Sequence, residues 1–128
     1  SGVALVHALE YPLGGALHCS HGAGNGMLLP YVMSFNLPVR RSTMARIARL
    51  LGEEVSELDE EHAAEMAITA VERLKQDIGI PERIRDIGGT EEQLPLFAER
   101  AYAIERLRWV NPRESSREDL LDILKSAF

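Results

Sequence analysis

Three of the four histidines lie within the first 21 residues, and two of them are candidates for binding a metal ion. His7 lies in an otherwise apolar stretch, where an imidazole must find a hydrogen-bond partner or a metal. His21 directly precedes a patch of glycines, where backbone can come close to another group. A histidine from a helix and one from a following loop can converge on one ion, and imidazole suits iron, zinc, copper and nickel. Two histidines do not complete a site, and Glu10 is the one acid placed conveniently beside them. A hydrogen-bonded core histidine is therefore the alternative interpretation of His7.

The other candidate groups have simpler interpretations. His18 would share a helical face with His21 if that stretch were helical, but the flanking glycines argue against a helix there. Cys19 could be a soft metal ligand, although a lone buried thiol is the more ordinary state. His62 lies among acids in the first turns of an exposed helix, and we expect it to be solvated. Residues 22–26 lack a preceding strand and the Gly-x-Gly-x-x-Gly spacing of a phosphate loop, so we expect the glycines to allow close packing.

Amphipathic helices must position these residues, since apolar side chains recur three and four residues apart along most of the chain. We find no strand with clean alternation and no repeat, and we predict an all-α fold with five to seven helices. The predicted segments are a buried helix that ends near residue 9 and is interrupted at Tyr11-Pro12, a buried segment over 27–35, a helix from an N-cap at Ser42 to Gly52, a helix over 58–78 that ends at Gly79, a short helix from Pro81 to Gly88, a helix over 94–107 that follows a capping box at Thr90, and a last helix over 117–128 capped by Ser116.

Composition and charge exclude several classes of protein. The chain has 128 residues, 45% hydrophobic and 27% charged, which is typical of one soluble globular domain. Its 20 acidic and 14 basic side chains give a net charge of −6, which argues against nucleic-acid binding. The longest weakly charged stretch, residues 11–39, is broken by three prolines and repeated glycines, so no membrane span is expected. The single cysteine cannot form an internal disulfide, which favours a cytoplasmic location.

The first 36 residues resemble the iron-containing alcohol dehydrogenases. The family pattern is close to H-A-L-x-H-P-L-G, a spacer, P-H-G, and then N-A-x-L-L-P-x-V-M-x-F-N. The matching residues here are His7-Ala8-Leu9-Glu10-Tyr11-Pro12-Leu13-Gly14-Gly15, His21-Gly22, and Asn25-Gly26-Met27-Leu28-Leu29-Pro30-Tyr31-Val32-Met33-Ser34-Phe35-Asn36. The tail, with Asn111-Pro112-Arg113 and later Glu118-Asp119-Leu120, is also similar to the usual C-terminus of the family.

The resemblance implies a fold and a domain organisation. Family members have an N-terminal dinucleotide-binding α/β domain and a C-terminal all-helical domain of the dehydroquinate synthase-like type, with the active site in the cleft between them. Residues 1–128 are similar to the later part of the helical, metal-binding domain. The chain starts Ser1-Gly2-Val3 without a methionine and enters an apolar run at once. We therefore expect a chain cut from a longer protein.

The resemblance also implies a metal site and a reaction. The family metal is held by one aspartate and three histidines, and the last two histidines fall on His7 and His21. The implied ion is Fe²⁺, with Zn²⁺ as the alternative, and the implied cofactor is NAD or NADP. Such an ion acts as a Lewis acid on the alcohol oxygen, and hydride passes from the carbinol carbon to the nicotinamide. Residues near the site would be Tyr11, His18 and Gly22, and no cofactor-binding residue is identified.

Two positions depart from the family pattern. Tyr11 stands where the family often has a second histidine near substrate and nicotinamide, so Tyr11 becomes the candidate catalytic residue, with a hydroxyl that can donate or relay a proton. Ser20 replaces the proline that commonly precedes the second ligand. These departures leave the proton relay and the substrate preference open.

Two alternatives to the alcohol dehydrogenase stay open at this point. One is a non-catalytic helical interaction module that keeps only the scaffold. The other is a relative of the maleylacetate reductase or glycerol dehydrogenase type with a different metal and substrate. For the dehydrogenase we expect a small alcohol or aldehyde as substrate, and a homo-oligomer, because apolar surface in residues 1–36 needs either a partner copy to cover it or poor order.

Overall fold

The fold is all-helical, as predicted. The computed structural model describes residues 4–128, and within that range there are seven α-helices and no strand. None of these helices is long and apolar enough to cross a membrane. The α-helices are α1 (Leu5–Leu17), α2 (His21–Asn36), α3 (Arg41–Leu50), α4 (Glu60–Asp77), α5 (Leu94–Tyr102), α6 (Glu105–Trp109) and α7 (Arg117–Ser126). Short 3₁₀ turns cover Leu37–Val39, Ile84–Ile87 and Glu91–Gln93.

The apolar side chains form two clusters joined by α2. The first cluster lies among α1, α2, α5, α6 and α7, with Leu9, Met27 and Phe97 at its centre. The second lies between α3 and α4 and takes in Met33 and Leu37 from the end of α2 and the turn after it. Because α1 packs against α2, α5 and α6 of the same chain, its buried leucines are covered without a partner copy. The homo-oligomer stays a prediction, and the part of the first predicted helix over residues 1–3 lies outside the described residues.

The predicted interruption of the first helix at Tyr11-Pro12 is wrong. Helix α1 runs on through Pro12 to Leu17. A proline inside a helix loses one backbone hydrogen bond and disfavours a helical conformation before it. Here Leu9, three residues before Pro12, and Leu13, directly after it, are completely buried. Burial of both therefore outweighs the local cost.

The glycine patch is helical, contrary to the expectation from its composition. Helix α2 begins at His21 and contains the whole patch as well as Pro30. Ser20 is its N-cap, and the Ala23 backbone N–H donates to the Ser20 hydroxyl at 3.4 Å. His18 adopts a left-handed conformation with φ of 54° and ends α1. His18 and His21 therefore do not share a helical face.

Other boundaries differ by a turn or less. The N-cap of α3 is Arg40 and not Ser42. The helix predicted over 94–107 is divided near Ile104 into α5 and α6. The capping box predicted at Thr90 and the cap predicted at Ser116 are confirmed. Ser116 also forms a reciprocal pair of hydrogen bonds with Asp119.

Candidate metal centre

Helices α1 and α2 bring three of the predicted site residues together. His7 and Tyr11 are four residues apart on α1, a spacing that places them on one helical face. His21 is the first residue of α2, and residues 18–20 turn the chain so that it returns to that face. The ring centroids of His7 and His21 are 5.2 Å apart, and those of Tyr11 and His21 are 5.7 Å apart. The sequence therefore identifies three side chains that form one cluster.

His7 has an unsatisfied ring nitrogen. Its Nδ1 is buried and has no hydrogen-bond partner among the described residues. A buried imidazole nitrogen without a partner is uncommon, and it calls for a ligand, a water or another part of the protein. The alternative interpretation of His7 as a core histidine satisfied through this nitrogen finds no support within residues 4–128.

The ring of His21 is held on both sides. Its Nδ1 lies 2.6 Å from Oε2 of Glu10, within hydrogen-bond distance. Its Nε2 lies 3.1 Å from the side-chain amide nitrogen of Asn25, which also donates to the His21 backbone carbonyl at 2.9 Å. The His21 side chain is 55% exposed, whereas the Glu10 side chain is 3% exposed. One edge of the imidazole therefore faces a buried carboxylate, and much of the ring stays accessible.

Sequence reasoning noted Glu10 only as a nearby acid and assigned no role to Asn25. A signal for Glu10 was present, since it lies three residues after His7, in a helix whose other members are apolar. A buried carboxylate in such surroundings must find a hydrogen-bond donor. No comparable signal marks Asn25, because its contact depends on the glycine patch being helical.

Tyr11 lies at the exposed side of the cluster. Its side chain is 40% exposed, and its ring is stacked on the His21 ring with an angle of 22° between the planes. The Tyr11 and His7 rings meet edge to face at 73°, with centroids 6.5 Å apart. Tyr11 therefore presents its phenol beside both histidines at a surface that a small molecule can reach.

The remaining candidate residues are not brought into the cluster as donors. His18 is exposed at the end of α1, and Gly22 is exposed in the first turn of α2. Burial, and then the nearby Glu10 carboxylate, raise the pKa of the Cys19 thiol. A raised pKa disfavours the thiolate, which is the metal-binding form. His62 lies on α4 and pairs with Asp59 at 2.6 Å, as expected of a solvated surface residue.

Two imidazoles are the donor set that the described residues offer. Two histidines on one tetrahedral ion, with metal–nitrogen distances of about 2.1 Å, have ring centroids roughly 5 Å apart. The observed separation of 5.2 Å fits such an ion. Residues 4–128 contain no group of three or more histidine, cysteine or acidic side chains that could hold a metal. The described residues thus provide part of a metal site.

The chain is similar to proteins of one family over its whole length. The family model described as "Fe-containing alcohol dehydrogenase family, C-terminal" matches residues 1–128. The chain is 40% identical over 123 residues to the 1,3-propanediol dehydrogenase of Klebsiella pneumoniae, which covers 96% of this chain and 32% of that protein. It is 38% identical over 127 residues to the NAD-dependent methanol dehydrogenase of Bacillus methanolicus, covering 99% of this chain and 33% of that protein.

A solved structure shows the same helical arrangement. The alcohol dehydrogenase from Oenococcus oeni superposes with a TM-score of 0.94 at 36% identity, over 100% of this chain and 33% of that one. The chain thus spans about a third of the length of the proteins it matches.

Proposed function

Because this chain belongs to the iron-containing alcohol dehydrogenase family, we propose that it forms part of a metal-dependent and NAD(P)-dependent alcohol dehydrogenase. The full-length protein would transfer hydride between an alcohol and a nicotinamide cofactor. The observation that carries the proposal is the approach of His7 and His21, on two different helices, to a centroid separation of 5.2 Å. Family membership indicates the type of reaction, and this pair of side chains supplies a reason for it within the chain.

His7 and His21 are the proposed metal ligands of this chain. Imidazole nitrogen is a good donor for both Fe²⁺ and Zn²⁺, so the ligand type admits either ion. The family description favours iron. When bound, the ion would supply Lewis acidity toward the alcohol oxygen, and the nicotinamide would supply the redox chemistry.

Tyr11 is the proposed catalytic residue of this chain. Its phenol lies on the exposed side of the histidine pair, where its hydroxyl can hold or relay a proton of the substrate alcohol. Stacking on His21 restricts the orientation of the ring. His7 and His21 would bind the metal ion, and Tyr11 would contact the substrate.

The remaining parts of the site would come from the rest of the full-length protein. We propose a preceding dinucleotide-binding domain and a first part of the helical domain, which would supply the other metal ligands and the binding site for NAD or NADP. This agrees with the match to a C-terminal family model and with the coverage of about a third of the relatives. One of those relatives is named as NAD-dependent. On this basis residues 1–128 alone should show no turnover.

The substrate class follows from the relatives. Their names refer to 1,3-propanediol and to methanol, and another relative, from Escherichia coli, is named lactaldehyde reductase. We therefore propose a small alcohol or aldehyde as the substrate. Assembly as a homo-oligomer and a cytoplasmic location remain predictions from the sequence.

Metal analysis of the full-length protein tests the proposal. The protein, purified anaerobically, is compared with His7→Ala and His21→Ala, and His62→Ala serves as the matched control because His62 is an exposed histidine on a distant helix. We expect close to one iron or zinc per chain in the unsubstituted protein and in His62→Ala, and loss of the metal in the other two variants. The rate of alcohol oxidation with NAD or NADP should be at least about 100-fold lower in the variants that lose the metal, since Lewis-acid catalysis supplies several kcal/mol.

Two outcomes would contradict the proposal. Full activity in both His7→Ala and His21→Ala would remove these residues from the site. An unsubstituted protein that takes up neither metal, even after anaerobic reconstitution, nor nicotinamide would instead favour the helical interaction module.

A further inference from the structure

We infer that Glu10 is a positioning residue for His21, whose carboxylate keeps the proton on Nδ1 and leaves the Nε2 lone pair for a metal ion. The inference rests on the proposed metal centre and adds to it a residue that binds neither the ion nor the substrate. Three independent features of the structure lead to it: the space made for the carboxylate, its hydrogen bond, and the contact on the opposite side of the imidazole.

The space for the carboxylate is made by two glycines, one on each helix. A Cβ atom added at Gly14 would overlap Oε1 of Glu10. A Cβ added at Gly24 would lie 2.8 Å from Glu10 Cγ, closer than two carbon atoms pack, and 3.1 Å from Oε1, which is a tight contact. Glycine at both positions therefore leaves room for this carboxylate between α1 and α2.

The hydrogen bond gives this buried carboxylate its partner. Glu10 is 3% exposed, and a carboxylate that far from water is costly unless it is paired. The side-chain donor that reaches it among the described residues is Nδ1 of His21, at 2.6 Å. A hydrogen on Nδ1 makes His21 the donor of this bond and Glu10 its acceptor, and the contact on the other side of the ring requires the same arrangement.

Asn25 requires the same tautomer from the other side of the ring. Its amide nitrogen donates one hydrogen to the backbone carbonyl of His21 at 2.9 Å, which fixes the orientation of the amide. The second hydrogen of that nitrogen points to Nε2 at 3.1 Å, and a donor there needs a lone pair on Nε2. Glu10 and Asn25 therefore both favour an imidazole with the proton on Nδ1, and a metal ion bound at Nε2 would take the place of the Asn25 amide hydrogen on that lone pair.

This tautomer is the one that a ligand binding through Nε2 needs. Metal-binding histidines commonly donate their other ring N–H to a carboxylate, which fixes the ring orientation and raises its basicity. Loss of such a partner typically costs about 10–100-fold in metal affinity. Glu10 lies one turn after His7 on α1, so the same helix supplies one ligand and positions the other.

The test combines a tautomer measurement with a metal-affinity measurement on the full-length protein. In metal-free protein with ¹⁵N-labelled histidine, long-range ¹H–¹⁵N spectra at mildly alkaline pH distinguish the Nδ1–H from the Nε2–H form of His21, assigned by its loss in His21→Ala. Affinity for Zn²⁺ is measured by competition with a chelator. The variants are Glu10→Gln, Glu10→Asp and, as a matched control, Glu65→Gln, which removes an exposed carboxylate from α4.

We expect His21 to carry its proton on Nδ1 in the unsubstituted protein and in Glu65→Gln. In Glu10→Gln we expect the Nε2–H form to gain population and the Zn²⁺ dissociation constant to rise about 10–100-fold. Glu10→Asp, which keeps a carboxylate, should recover part of the affinity. A folded Glu10→Gln with an unchanged tautomer and unchanged affinity would overturn the inference.

The tautomer measurement keeps the inference separate from the proposed function. An Nε2–H form of His21 in the unsubstituted protein would overturn the role of Glu10 even if every Glu10 variant failed to fold. If the unsubstituted protein bound no metal, the proposed function would fail. The tautomer of the metal-free protein would still show whether Glu10 positions the ring.

Discussion

Two histidines of this chain each contact a carboxylate at 2.6 Å, but the surroundings of the two pairs differ. The partner of His21 is Glu10, buried between two helices. The partner of His62 is Asp59, and both side chains of that pair are 65% exposed. Water screens the exposed pair strongly, so its contribution to stability is small. The buried carboxylate must keep its donor, so the Glu10 contact restricts the His21 ring far more than the Asp59 contact restricts His62.

The exposed pair gives a direct prediction about titration. The hydrogen bond and the charge of Asp59 raise the pKa of His62 above its ordinary value of 6.5. A raised folded-state pKa means that the pair stabilises the protein below the unfolded pKa, and that this contribution is lost as the pH rises through the folded pKa. We expect Asp59→Asn to lower the His62 pKa, measured from the ring-proton NMR shifts, and Glu118→Gln on α7 to leave it unchanged. An equal pKa in Asp59→Asn and the unsubstituted protein would contradict the hydrogen bond.

For single residues, the sequence predicted the members of the cluster of His7, Tyr11 and His21 better than it predicted their contacts. His7, Tyr11 and His21 could be identified because their types and spacing follow a family pattern. The contact between Glu10 and His21 could not be identified from the sequence, because it joins residues eleven positions apart across a gap between two helices. The contact between Glu10 and His21 depends on glycine at positions 14 and 24, and a glycine in a sequence is equally consistent with a turn.

Helices α1 and α2 are formed by sequences that disfavour helices locally. Together they contain two prolines and five glycines within their bounds. Each glycine costs about 1 kcal/mol relative to alanine in a helix interior. Burial of Leu9, Leu13, Met27 and Leu28 in the first cluster offsets much of these costs. Tertiary packing therefore decides the structure here, and local propensity alone predicted a loop.

Helix ends were more predictable than helix interiors. The boxes at Thr90 and Ser116 depend on a polar side chain and a partner three residues later, which a sequence displays directly. The start of α3 was missed because Arg40 caps it without a side-chain hydrogen bond, so the pattern at Ser42 was misleading.

The close approach of α1 and α2 predicts opposite effects for two glycine-to-alanine substitutions. Gly15 is exposed on α1, and a Cβ there meets nothing within 4 Å, so Gly15→Ala should stabilise the protein by up to about 1 kcal/mol through helix propensity. Gly24→Ala would push against Glu10 Cγ at 2.8 Å, and such overpacking costs about 1–3 kcal/mol. We therefore expect a net loss for Gly24→Ala in urea unfolding of the full-length protein. Equal stabilisation by both substitutions would show that the gap between the helices is not tight.

Over the whole molecule, the two apolar clusters differ in what fills them. The first contains large side chains such as Phe97, Ile84 and Leu124, all at most 1% exposed. The second is built mainly from alanines, with Met44 among its few large members. Because stabilisation scales with the apolar area removed from water, burial in the second cluster stabilises the α3–α4 pair less than burial in the first cluster stabilises its helices. Amphipathic stripes predicted the buried faces of α5 and α7 but not which helix each face meets, so this division could not be read from the sequence.

The uneven cores predict that α3 and α4 open before the rest of the chain. Local openings need only the free energy of the part that unfolds. Ile84→Val removes one methylene from the first cluster and should cost about 1 kcal/mol, which speeds exchange through openings of that cluster about fivefold. By hydrogen–deuterium exchange of the full-length protein, amides of α1, α5 and α7 should exchange faster in Ile84→Val, while those of α3 and α4 should not change. Met44→Ala should speed exchange in all of these helices. The Met44 side chain loses its packing in every opening that unfolds α3, and the openings that unfold the first cluster include α3. Equal acceleration of all helices by Ile84→Val would instead mean that the two clusters unfold as one unit.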